Sequence, residues 1–288
     1  MEKSVYKLPV INIVSRLLAC ALFVSAAVVV SSAAAMPVRA ESAVIRAGSG
    51  ETVPPSGPAS AASDLSAEDT SGVMIGVGPG AASRAISFDV SRFSLPENAE
   101  ALVVVEGSGG STCRVYAYTA GEDGWVETLR TSGYLGLNGM SSDRTEGDKT
   151  TPIGLFCMNT PFGQCEALEG FPESYIQVTE DYVWSDATNT LVADADAQGE
   201  HVGTHWYAGY YDYAIDMGYN REAIAGKGSA LFLHCIREGR VDTSGCVAIP
   251  REDMIAVMKL YGACAEGACY IALAPEGGFE AVYDSCDM

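Results

Sequence analysis

The chain has 288 residues, 48% of them hydrophobic, enough for one large domain or two modest ones with a real core. Its 37 acidic side chains against 17 basic ones give a net charge of −20. That excludes a nucleic-acid binder, which needs a basic footprint, and an electrostatic attachment to an anionic membrane surface. Residues 1–40 hold four of the bases and one acid, so the remainder is more negative still.

From the N-terminus, Lys3, Lys7 and Arg16 precede an apolar run, Leu17 to Val30, and then a stretch of small residues. Residues 1–40 therefore read as an export signal with cleavage after Ala35 or Ala40. An uncleaved anchor is the alternative, because Leu17 to Met36 just reaches across a bilayer. Cys20 follows Leu-Leu-Ala, but Arg16 breaks the apolar run that a lipidation site requires. Residues 41–72, rich in Ala, Ser, Gly and Pro without hydrophobic period, read as a flexible tether. Residues 73–100 read as a lead-in of one or two strands, and 101–288 as the folded domain. The expected location is extracellular or wall-associated, with any membrane contact confined to the N-terminus.

The domain opens on three strand candidates, Ala101–Glu106, Cys113–Tyr118 and Trp125–Arg130, separated by Gly-rich turns as in a β-meander. Further strands are expected at Tyr175–Val178, Ala214–Met217, Ala230–His234, Cys269–Leu273 and Glu280–Tyr283. One helix is clear. Pro250 suits its first position, Glu252 and Asp253 its first turn, and Gly262 its end. Met254, Ile255, Val257, Met258 and Tyr261 fall at helical spacing on one face. The expectation is a mainly β fold, a sandwich or meander with a few short helices, one directly after Cys246.

The chemistry concentrates in Ser229 to Pro250, S-A-L-F-L-H-C-I-R-E-G-R-V-D-T-S-G-C-V-A-I-P. A cysteine acts through its thiolate and needs a partner to take its proton, and His234 is the obvious one. Strand alternation puts Ala230, Phe232 and His234 on one face and Leu231, Leu233 and Cys235 on the other, which looks like core. Thr243-Ser244-Gly245 would place Cys246 at a sharp bend, where the amides of Gly245 and Cys246 can serve as an oxyanion hole. Outside the cytosol, eight cysteines beyond Cys20 suggest disulfides. With Cys246 reactive and Cys235 in the core, six cysteines remain for up to three bridges among fifteen connectivities; Cys264–Cys269 and Cys157–Cys165 are the favoured local pairs, which would leave Cys113–Cys286.

Ser229 to Pro250 resembles the active-site signature of the L,D-transpeptidase catalytic-domain family, in which a strand-end histidine precedes a Ser/Thr-x-Gly-Cys element. Gly139 to Phe156, G-M-S-S-D-R-T-E-G-D-K-T-T-P-I-G-L-F, resembles the second hallmark of that family. Glu200-His201 and Tyr219-Asn220 are also similar, and the likeness covers about Ala101 to Tyr283. It implies that Cys246 attacks a peptidoglycan stem peptide after its third residue. His234 then protonates the departing D-alanine, and an amine from a second stem takes the acyl group to give a 3→3 cross-link. It further implies that Thr243 and Ser244 rim the oxyanion hole, with Tyr219 and Asn220 near the substrate, and the adjacent Arg221 is read as a further substrate contact from its charge. Two positions depart from the pattern: Ser244, where many members carry His, and Ala248, where many carry Arg or Asn.

His201 and His205 stand at metal-ligand spacing, but Gly203 and Trp206-Tyr207 make a poor helix there and no third acidic ligand follows, so no metal and no cofactor are expected. The cluster Trp206, Tyr207, Tyr210, Tyr211, Tyr213 and Tyr219 reads as core and cleft wall. In so acidic a chain, Arg221 and Lys227 are read as cations that could meet a substrate carboxylate. The alternative functions are a hydrolase passing the same acyl-enzyme to water, an L,D-carboxypeptidase or endopeptidase, and an inactive wall-binding module.

Overall fold

Ala101–Val105 is apolar at every position, as a strand buried on both faces requires. In the computed structural model, which describes residues 85–287, this run forms an interior strand of the largest sheet. The export signal, the tether, Cys20 and the first part of the lead-in lie outside the described residues.

Three long strands come first: β1 (Ala101–Gly109), β2 (Thr112–Gly121) and β3 (Gly124–Tyr134). Short strands follow: β4 (Met140–Ser141), β5 (Thr151–Pro152), β6 (Gly154–Cys157), β7 (Asn159–Gly163), β8 (Ile176–Gln177), β9 (Val183–Ser185), β10 (Thr190–Val192) and β11 (Gly199–Glu200). After them come β12 (Ala214–Asp216), β13 (Phe232–Cys235), β14 (Val247–Ile249), the helix α1 (Arg251–Ala263), β15 (Cys269–Pro275) and β16 (Cys286–Asp287). Among the described residues, eleven strands join one mixed sheet in the order β16-β6-β15-β1-β2-β3-β14-β13-β12-β7-β8. The fold is mainly β, with α1 following Cys246 as expected.

Alternation along the strands separates two cores. Val103, Val105, Val115, Ala117, Phe156, Ile271 and Leu273 point into the larger one, which also holds Phe162, Phe232 and the α1 residues Met254, Val257 and Met258. The sheet therefore curls around this core, and α1 packs across β13, β12 and β3. Leu102, Val104, Tyr116, Tyr118, Leu155 and Tyr270 point the other way. Phe88 and Phe93 from the lead-in cover that face together with Phe279 and Tyr283, through ring contacts between 4.9 and 6.4 Å.

Two expectations change. Glu280–Tyr283 is not a strand: Phe279–Ala281 forms a 3-10 turn, because Phe279, Val282 and Tyr283 bury at helical spacing against the outer core. Gly262 does not end α1, which continues to Ala263. A Cβ on Gly262 would stand 2.6 Å from the Gly170 oxygen, so glycine permits a close loop approach.

Candidate active site

The turn before β14 is built around Thr243. Its hydroxyl donates to the Cys246 carbonyl at 2.7 Å and accepts the Gly245 N–H at 3.1 Å. Gly245 adopts φ +140°, and a Cβ there would lie 2.8 Å from the Thr150 oxygen. Thr151 donates from the other side to the Cys246 carbonyl at 3.4 Å. The segment Gly139–Phe156 thus packs directly on the Cys246 turn, so the two stretches that carry the resemblance meet in space.

Cys246 is 7% exposed. Its Sγ donates to the Ala230 carbonyl at 3.5 Å and accepts the Phe232 N–H at 3.4 Å. Ala230 stands at φ +54°, a left-handed conformation unusual for a residue with a Cβ. Burial pushes the Cys246 thiol up to about 12, aided by the Glu200 charge and opposed by the Phe232 amide and Arg144.

His234 lies on β13, paired in parallel register with Ala248, while Leu233 pairs with Val247. Side chains alternate, so His234 and Cys246 project from the same face of adjacent strands, two positions apart along the ladder. The His234 Nδ1 lies 2.8 Å from the Cys235 carbonyl. A carbonyl only accepts, so Nδ1 carries the proton and Nε2 keeps its lone pair. Burial lowers the His234 pKa to about 4. Tyr210 and Tyr211 meet the ring edge-on at 5.8 and 5.5 Å. With the thiol raised and the imidazole lowered by burial, the resting pair is a neutral thiol and a neutral imidazole at neutral pH.

Both residues line one cavity of about 310 Å³, near the lower end of the usual ligand-pocket range. Thr243 and Ser244 form part of its wall, with Arg144, Glu146, Glu200, Tyr207, Tyr210 and Tyr211 around them. The Glu200 residue is partly exposed, yet its carboxyl is enclosed, accepting hydrogen bonds from Tyr211 and Tyr207. Desolvation raises its pKa to about 7 against those two bonds. Tyr207 and Tyr211 stack at 4.9 Å. Trp206, 68% exposed, stands at the mouth.

No family model matches this sequence, and no curated protein matches it. The case for a site therefore rests on the residues and their geometry.

The predicted residues divide clearly. Cys246, His234, Thr243 and Ser244 line the cavity, and Gly245 forms the turn behind it. The Gly245 N–H is already held by Thr243, so of the two amides expected in the oxyanion hole only that of Cys246 remains a candidate. Tyr219, Asn220 and Arg221 do not line the cavity. Asn220 closes its own loop, donating to the Ile224 and Gly228 carbonyls, and Arg221 is exposed. Tyr219 acts indirectly, its ring 5.6 Å from the Arg144 guanidinium. Sequence reasoning missed Arg144 and underrated Glu200, since nothing marks one charge in S-S-D-R-T-E-G-D-K as buried.

His201 and His205 are exposed whereas His234 is buried, and no group of three or more metal-ligating side chains is assembled among the described residues. Of the expected cysteine pairs, Cys264 and Cys269 are brought together by a hydrogen bond that lowers the Cys264 pKa. Cys157 faces the outer core and Cys165 packs on the inner one. Cys113 likewise faces inward while Cys286 packs on the outer core. Alternation on β6 separates the first pair: Phe156 takes the inward position and leaves Cys157 outward.

Proposed function

We propose that this chain is a cysteine acyltransferase acting on peptidoglycan stem peptides. The observation that carries the reading is the placement of Cys246 and His234 on one face of β13–β14, opening into one cavity. In the proposed reaction, the His234 Nε2 takes the thiol proton as Sγ attacks the donor carbonyl. The tetrahedral oxyanion receives the Cys246 N–H. Collapse of this intermediate breaks the amide bond, and His234 returns the proton to the departing D-alanine amine. An amine of a second stem then attacks the thioacyl carbonyl, losing its proton to His234; the C–S bond breaks, His234 returns that proton to the Cys246 sulfur, and a 3→3 cross-link results.

The neutral resting pair suits this sequence. A depressed imidazole and a raised thiol mean that proton transfer accompanies attack rather than preceding it, as in general-base catalysis.

The test is product analysis by mass spectrometry with a tetrapeptide donor, with and without an amine acceptor. A cross-linked product, lost in Cys246→Ala while that variant stays folded, supports transfer. Released tripeptide alone would make the protein an L,D-carboxypeptidase. An unchanged donor with no thioacyl adduct would leave a wall-binding module.

A further inference from the structure

Arg144 is 5% exposed and lines the cavity, with Nε and Nη1 buried and without hydrogen-bond partners. The nearest carboxylate, Asp148, lies 3.8 Å from Nε but is already used. Its Oδ1 accepts the Thr150 N–H and hydroxyl, and its Oδ2 accepts the Thr145 N–H. Of the acids lining the cavity, Glu146 takes the Ser229 N–H at 3.1 Å, and Glu200 takes the Tyr211 hydroxyl. A buried guanidinium short of acceptors is costly unless an anion joins it.

The surroundings hold that guanidinium toward the nucleophile. A Cβ on Gly228 would stand 2.6 Å from Nη1, and one on Gly245 3.5 Å from Nη2. Both glycines have positive φ, so two bare backbone positions make room for the group beside the Cys246 turn. Tyr219 supports it from the side.

We propose that Arg144 binds a carboxylate of the acyl donor, so that the site selects donors with a free carboxylate near the attacked bond over their amides. This rests on the acyl-transfer reading for its donor class. The planar guanidinium fork matches a carboxylate in a way that a lysine ammonium does not.

The test begins without any stem peptide. Alkylation of Cys246 by iodoacetate and by iodoacetamide is followed by peptide mass spectrometry in the wild type, Arg144→Lys and Arg144→Gln. The wild-type iodoacetate-to-iodoacetamide rate ratio should exceed that of a small neutral thiol by about tenfold, the worth of one charge-assisted hydrogen bond. It should fall to the free-thiol value in Arg144→Gln and lie between in Arg144→Lys. A wild-type ratio equal to that of the free thiol overturns the proposal, whatever the variants do. So does an equal slowing of both reagents in Arg144→Gln, since that shows an effect on the thiolate alone. The second arm compares tetrapeptide donors amidated at the C-terminus, at the internal acidic residue, or at neither. A preference for one free carboxylate, abolished in Arg144→Gln, identifies which group is bound. Reagent selectivity without a thioacyl-enzyme from any donor would end the acyl-transfer reading and leave the carboxylate site standing. Thioacyl formation indifferent to amidation would do the reverse.

Discussion

The Cys246 thiol donates to the carbonyl oxygen of Ala230, the residue held at φ +54° two positions before β13. A thiol that serves as donor must keep its proton, so this contact and burial both favour the resting S–H. With the thiol pushed up to about 12, iodoacetamide should modify Cys246 at neutral pH on the order of 10³-fold more slowly than an unperturbed cysteine. The rate should climb with pH without levelling below about pH 11. A plateau near pH 7, read by peptide mapping, would instead indicate a preformed thiolate–imidazolium pair.

The His234 pKa is depressed by burial to about 4, so it contributes stability above the unfolded value near 6.5 that is lost as pH falls through 4. The loss reaches roughly 3 kcal/mol, at 1.36 kcal/mol per unit. Glu200 has the opposite sign: its pKa is raised to about 7, so its contribution is complete below about 4.5 and is lost as pH rises through 7. Glu200→Gln should therefore remove up to about 3 kcal/mol of pH dependence between pH 4.5 and 8 and leave the acid limb intact. Urea denaturation across that range reads both. An unchanged slope in Glu200→Gln would mean that its carboxyl is hydrated.

Much of this was legible in the sequence, and what was not has physical reasons. β1 to β3 announce themselves because they are long, apolar or alternating, and bounded by glycine turns. β6 and β14 span four and three residues and are buried on both faces, so no period exists to be read. That His234 and Cys246 could face one space was readable from alternation and the Thr-Ser-Gly turn, and both line one cavity. Arg144 was not, because its burial depends on Gly228, Gly245 and Tyr219, which reach it only through tertiary folding. Nor could sequence tell that Thr243 would use the Gly245 amide internally.

Gly245 is the position where the turn tolerates least. Its φ of +140° is a region for glycine, and an added Cβ would meet the Thr150 oxygen at 2.8 Å and Leu231 Cδ2 at 2.9 Å. Gly245→Ala should cost about 1–3 kcal/mol and displace Sγ from its place between Ala230 and Phe232. Acyl transfer should fall more steeply than stability. Full activity in a folded Gly245→Ala would show that the turn does not position the nucleophile.

The hydrogen bond between Cys264 and Cys269 joins the end of α1 to the start of β15 across a four-residue loop. Cys264 is the member with the lowered pKa, while Cys269, buried in the inner core, is raised. The two thiols interact directly, so an oxidising medium should join them. A two-hydrogen mass loss confined to the peptide spanning both residues is the expected result. Closing so short a loop restricts the unfolded chain less than a long one would, so the gain should not exceed about 2–3 kcal/mol. Cys264→Ser should abolish that mass loss and leave Cys246 alkylation unchanged, because the pair and the cavity share no residue. Oxidation linking Cys157 to Cys165 instead would require the alternation of β6 to be reversed.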